Sequence, residues 1–151
     1  MATFDLDDTD KAIIRELQSD GRMPFTKLGP LVGLSQSATR QRVNRLIDAG
    51  VMQVVAVTDP HKVGLEVQAM ICLRAQGDLR AVAAALAALD PVEYVVITSG
   101  AYDVLAEVVC VDNDHLLDLL NGSVRAIEGV TDVQVLTYLD LTMQTYAWGT
   151  G

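Results

Sequence analysis

Cysteine is scarce in this sequence. Cys72 and Cys110 are the only two, they lie in separate apolar segments, and neither sits in a CxxC pair. That excludes a disulfide framework and a cysteine-based zinc site, and it fits a reducing compartment. Histidine is as scarce. His61 and His115 stand far apart without ligand-spaced partners, so no metal is expected. No apolar run follows a basic start, so no secretory leader is expected. No apolar stretch is long enough to span a bilayer, so no membrane partner is expected. There is no Walker loop and no GxGxxG. Ser99-Gly100 lacks the strand elbow and the histidine partner that an activated serine needs. No catalytic residue and no cofactor emerges. Asp112, Asp114 and Asp118 read as the acidic start of a helix rather than a cation site.

What is present is a chain of 151 residues, half of them apolar, enough for one medium or two small folded domains. The net charge of −9 argues at first against nucleic acid, but the acid excess is local. Residues 1–60 carry seven bases against eight acids, and residues 61–151 carry four against twelve. From Gly21 to Ile47 there are five bases and no acid. A phosphate-facing surface needs a local positive field rather than a positive whole, although an ordinary solvated helix face would read the same way.

The first fifty residues read as three short helices. Asp7 or Asp8 caps the first, which puts Leu6, Ile13, Ile14 and Leu17 on one face. The second runs from about Phe25 to Val32 and contains the awkward pair Gly29-Pro30. Gly33 makes the turn and Ser35 caps a third helix from about Gln36 to Ala49, which Gly50 terminates. Ala38, Thr39, Val43, Leu46 and Ile47 form the expected inner face of that helix. A short turn followed by a helix presenting polar and basic side chains is the helix-turn-helix arrangement, and such a helix fits the major groove. The candidate DNA-binding residues are Ser35, Gln36, Ser37, Arg40, Gln41, Asn44 and Arg45. The amides of Gln36, Gln41 and Asn44 suit adenine, the guanidinium of Arg40 suits guanine, and Ser35 and Ser37 can donate to phosphates or bases. A plain three-helix bundle with a polar outer face is the competing interpretation.

Val51–Val57 reads as a strand and Asp59-Pro60 ends it, with residues 58–64 as the best linker. Beyond lie a strand over Val67–Leu73, a helix from Leu79 to Leu89 capped by Asp78, strands over Val92–Thr98 and Tyr102–Val111, a helix from Asp114 to Ile127, and a long last strand from Val130 to about Tyr146. The order βαββαβ is a ferredoxin-like unit, an antiparallel sheet with both helices on one face. Its bare face needs a cover, and a second subunit is the simplest one. The expected organisation is a helix-turn-helix domain over 1–52, a strand and hinge over 53–64, and an α+β domain over 65–151.

The chain carries, in order, Leu6-Asp7-Asp8-Thr9-Asp10-Lys11 followed by Ile13-Ile14, then Val32-Gly33-Leu34-Ser35, Arg42-Val43-Asn44-Arg45-Leu46, Ala49-Gly50-Val51-Met52, Ser99-Gly100-Ala101-Tyr102-Asp103 and Glu128-Gly129-Val130. Together these stretches resemble the Lrp/AsnC family of feast/famine regulators. The resemblance covers nearly the whole chain. It implies a winged-type helix-turn-helix followed by an effector (RAM) domain, and a homodimer that builds up to octamers. It further implies double-stranded promoter or operator DNA as a partner, an amino acid or related metabolite as effector, and action in the cytoplasm on the nucleoid. Thr39, where the family has an apolar residue, and Pro30 inside the second helix depart from the pattern.

An amino acid needs donors for its carboxylate and acceptors for its ammonium. Thr98, Ser99, Gly100, Ala101, Tyr102 and Asp103, with Val130, Thr131 and Asp132, offer both, and by resemblance they line the effector pocket. A purely structural hairpin fixed by Tyr102 and Asp103 is the alternative. Two other functions compete with the regulator: a ferredoxin-like dimeric enzyme, and a ligand-binding module whose N-terminal helices bind protein.

Overall fold

The computed structural model describes residues 5–145. The chain divides into two compact units. One holds the residues up to Val57, with those from Met143 on grouped with it, and the other is Thr58–Thr142.

The first unit holds α1 (Asp8–Ser19), α2 (Phe25–Leu31) and α3 (Gln36–Asp48). Asp7 caps α1, its carboxylate accepting from the Asp10 backbone N–H at 2.8 Å. Ser35 caps α3 by accepting from the Ala38 N–H at 3.3 Å. Gly33 and Gly50 take the positive φ that the turns at either end of α3 require, 71° and 68°. Ile13, Ile14, Met23, Leu28, Val43 and Leu46 form the core. Thr39 joins them fully buried, and its hydroxyl donates to the Ser35 carbonyl at 2.8 Å, so the polar residue carries no unsatisfied group. Gly29 makes room for it: a Cβ there would lie 2.7 Å from the Leu34 carbonyl oxygen and 3.1 Å from the Thr39 hydroxyl. Pro30 falls in the last turn of α2, followed only by Leu31 and the C-cap Val32.

Two expectations fail in this unit. Ile47 is 39% exposed and lies off the inner face, where the stem of Arg42 sits half-buried instead. The strand over Val51–Val57 does not form. A strand needs a hydrogen-bonding neighbour, none of the described strands pairs with this segment, and Val54, Val55 and Val57 are exposed.

The second unit opens with a 3-10 turn, Pro60–Val63. It continues with β1 (Val67–Ala75), α4 (Leu79–Ala87), β2 (Val92–Ile97), β3 (Val104–Cys110), α5 (Asn113–Asp118) and β4 (Val130–Thr137). The antiparallel sheet has the order β2-β3-β1-β4, the ferredoxin-like arrangement. Its core joins Val67, Ala69, Ile71 and Leu73 with Val104, Ala106 and Val108 of β3 and with Val82, Leu86, Leu116 and Val124 beneath.

The expected single helix to Ile127 does not form: α5 gives way to a π turn at Leu119–Ser123 and a 3-10 turn at Val124–Ala126. Asn121-Gly122-Ser123 are poor helix formers and cannot hold the α-helical bonds. The last strand stops at Thr137, close to where β1 begins at Val67. Thr137 pairs with Ala69 and Tyr138 N–H donates to the Gln68 carbonyl at 2.8 Å, which leaves only Val67 of β1 beyond. Tyr146, its expected end, lies outside the described residues.

On the helix-free face the alternation places Gln68, Met70 and Cys72 of β1 beside Leu105, Glu107 and Val109 of β3. The Gln68 amide donates to the Glu107 carboxylate at 2.7 Å, and the Tyr138 phenol bonds the same carboxylate.

Candidate nucleic-acid interface and effector turn

Helix α3 has two chemically distinct sides. Thr39, Val43 and Leu46 face the core. Gln36, Ser37, Arg40, Gln41 and Asn44 are exposed and line one surface hollow of about 420 Å³. That row supplies three amides, a hydroxyl and a guanidinium at one helix spacing, the donors and acceptors that base edges pair with. The two remaining candidates are engaged within the unit. Ser35 spends its hydroxyl oxygen on the helix cap and lies 3.1 Å from the Ser37 hydroxyl. Arg45 donates through Nη2 to the Asp10 carboxylate at 2.5 Å.

That bond belongs to a four-residue ionic cluster that the sequence did not announce. Arg42 Nη1 donates to Asp7 Oδ2 at 2.6 Å and to Asp10 Oδ1 at 2.9 Å. Asp10 is fully buried, yet both its oxygens are paired. The Asp10 N–H and then the Arg42 guanidinium hold the Asp7 carboxyl below its ordinary range. Hydrogen bonds to Asp7 and Asp10 raise the pKa of Arg42.

The second group of candidates converges on the far end of β1. Thr98 Oγ1 donates to the Tyr102 carbonyl at 2.6 Å, and Thr98 N–H donates to the Asp103 carbonyl at 2.9 Å, closing the turn. Asp103 Oδ2 accepts from Ala75 N–H at 2.9 Å, and Asp103 N–H donates to the Leu73 carbonyl at 2.9 Å. From the other side Thr131 Oγ1 donates to the Arg74 carbonyl at 3.1 Å, across a register shift between Arg74 and Ala75. The Tyr102 hydroxyl donates to Gln134, tying the turn to β4. Gly100 takes φ 144° with open space beside it. Val130 pairs with Ala75, and Asp132 with Arg74.

The structure therefore brings Thr98–Asp103 and Val130–Asp132 to one place, but Asp103 already has a structural partner. Arg74 and Gln134 are the residues that sequence reading missed here. Only the strand register could have found them, and spacing does not show register across 58 residues, the interval from Arg74 to Asp132.

A family model for the AsnC-type helix-turn-helix domain matches residues 6–47, and one for a C-terminal dimeric alpha+beta barrel domain of AsnC regulators matches 58–151. The chain belongs to the Lrp/AsnC family of transcription regulators. It is 35% identical over 136 residues to an HTH-type transcriptional regulator of Pyrococcus abyssi, covering 87% of this chain and 86% of that one. Among solved structures it resembles the leucine response regulatory protein LrpA of Mycobacterium tuberculosis. That match has 30% identity and a TM-score of 0.82, over 92% of this chain and 96% of that one. It also resembles a transcriptional regulator of Neisseria meningitidis solved as its L-Met complex, with 29% identity and a TM-score of 0.83, over 94% of this chain and 95% of that one.

This AsnC-type chain is thus a DNA-binding transcription regulator with an effector-binding C-terminal domain, and its relatives are regulators rather than enzymes. Its second domain is the dimerisation domain of the family. Among the described residues no helix is long and apolar enough to cross a membrane.

Proposed function

We propose that this regulator reads a two-fold operator through Gln36, Ser37, Arg40, Gln41 and Asn44, with Ser35 fixing the start of the reading helix. The observation that carries this is the exposed row of amides and guanidinium on α3, backed by the buried Thr39, Val43 and Leu46. Residues 1–52 act as the DNA-binding domain, 53–64 as the linker, and 65–151 as the effector and assembly domain. Dimers associate further into octamers, and the protein works in the cytoplasm at the nucleoid. Arg40→Ala should cost about 1–3 kcal/mol of specific binding. A gel-shift titration against a duplex selected from genomic fragments reads it, and unchanged affinity overturns the reading.

The effector in this reading is an amino acid at the far end of β1. The backbone N–H groups around Gly100 and the Arg74 side chain receive its carboxylate. Asp132 receives its ammonium. The L-Met complex of the Neisseria protein supports the ligand class. Because Asp103 Oδ2 already holds Ala75 N–H, Asp103→Ala is expected to lower stability as well as ligand binding. Asp132, exposed and on the strand itself, gives the cleaner test. Calorimetry with a panel of amino acids should find one that binds, and Asp132→Asn should weaken it at least roughly tenfold with no change in unfolding temperature. Equal affinity in the variant rules this site out.

A further inference from the structure

Of the five bases that make Gly21–Ile47 look cationic, two are not available to it. Arg42 and Arg45 donate to Asp7 and Asp10, which lie outside that interval and bring two negative charges to the two positive ones. The cluster is neutral as a unit. Asp10 is fully buried, so a guanidinium that left it for a phosphate would strand a carboxylate in the core. Arg42 is held twice, by Asp10 from below and by Asp7 at the rim, and its side chain is 32% exposed. Both arginines nonetheless sit on α3, the helix that presents Gln36, Arg40, Gln41 and Asn44 outward. They are within a turn of the reading face, where an unpaired arginine would contact backbone phosphate.

Phosphate contacts carry non-specific affinity, and base-edge contacts carry discrimination. A residue that withholds a cation from phosphate without touching the base-reading row therefore raises the ratio of specific to non-specific binding. We propose that Asp7 and Asp10 are specificity-determining residues: they hold Arg42 and Arg45 off the DNA backbone, so that recognition rests on α3 side chains rather than on bulk charge. This rests on the reading of α3 as the recognition helix.

Asp7 is the residue to test. It is exposed, and asparagine is an equally good N-cap, so Asp7→Asn keeps the bond to Asp10 N–H and removes only the charge facing Arg42. Binding is measured by fluorescence anisotropy on a short random-sequence duplex and on a duplex selected from genomic fragments, over a series of salt concentrations. Asp7→Asn should tighten the random duplex roughly three- to tenfold and steepen its salt slope by up to about 0.9, one added phosphate contact. The specific duplex should gain less, so the ratio falls. The charge-balanced pair Asp7→Asn/Arg42→Gln should return both affinity and slope to wild type.

Two results would overturn the inference while leaving operator reading intact. One is an Asp7→Asn variant, folded by its unfolding temperature, that binds the random duplex no more tightly. The other is a charge-balanced pair whose slope falls below wild type by about one contact, which would show Arg42 already on the phosphates. If the wild-type chain binds neither duplex at low salt, the recognition-helix reading fails, and this inference with it.

Discussion

Between Asp8 and Asp48, six buried apolar residues hold three helices together, and a buried carboxylate with two arginines sits beside them. Between Val67 and Thr137, thirteen buried apolar residues hold a sheet and its helices, and among the described residues no ion pair joins these elements. The pairs of Arg42 and Arg45 with Asp7 and Asp10 all lie in the smaller unit. A small helical unit buries little surface, so it gains orientation from directional charge pairs where its core cannot supply it. The sheet needs no such aid, because ladder and core fix its geometry together. The difference suits the division of labour. A recognition helix must be held at one angle, while an assembly domain must simply be stable.

The sharpest way to break this comparison is to remove core from the larger unit. Leu73 is fully buried on β1, and Leu73→Ala should cost about 3–5 kcal/mol. Urea unfolding followed by amide NMR should show the loss in Thr58–Thr142, with the helices of the first unit keeping their midpoint. A common shift of all signals would show one cooperative body instead of two. Second in size come the glycines packed against backbone. Gly129 takes φ 93°, and a Cβ on it would meet the Gln76 carbonyl oxygen at 2.7 Å. Gly29 has a helical backbone, so a Cβ there meets the Leu34 carbonyl oxygen at 2.7 Å and the Thr39 hydroxyl at 3.1 Å without added backbone strain. Gly129→Ala should therefore cost more, about 2–4 kcal/mol against about 1–3 for Gly29→Ala. Denaturant midpoints of the two variants check the order.

Local signals in the sequence placed the elements well. Asp7, Ser35, Asp78 and Asp112 all accept backbone N–H bonds at helix starts. Gly33 and Gly50 turn as their positions required. The errors share one cause, which is that partners distant in sequence decided them. Val51–Val57 has strand composition but no strand to pair with. The last strand ends at Thr137, opposite Ala69 and close to the start of β1. The pairing of Arg45, a candidate DNA-facing residue, with Asp10 spans 35 positions and is likewise invisible in the sequence. The same blindness made the interval from Gly21 to Ile47 look more cationic than it is. In the effector region the turn was readable from Ser99-Gly100 and Tyr102-Asp103. That Asp103 spends an oxygen on Ala75, and that Arg74 stands beside Asp132, follow from register alone.

The smallest expected effects are in pH, and they separate the units by sign. In the sheet unit the Tyr138 phenol is pushed up to about 12 from 10.0, first by burial and then by the charge and hydrogen bond of Glu107. A raised phenol pKa means the neutral form is favoured when folded. Its contribution is complete below about pH 10 and is lost as pH climbs through about 12. The loss should be about 1–2 kcal/mol, less than the full shift implies because solvent reaches the ring. Tyr138→Phe should remove this alkaline step.

In the helical unit the Asp7 carboxyl is held below 3.8, by the Asp10 N–H first and Arg42 next. A depressed carboxyl contributes above its unfolded pKa and is lost as pH falls through the folded value, so this unit should weaken on the acid side, below about pH 4. Asp7→Asn keeps the cap and should flatten that acid limb, leaving the alkaline limb of the sheet untouched. Unfolding temperatures recorded across both ranges, resolved by amide signals from α1 and β1, test the pairing of limb to unit. An acid limb that appears equally in β1 would mean the charge cluster does not act on the helical unit alone.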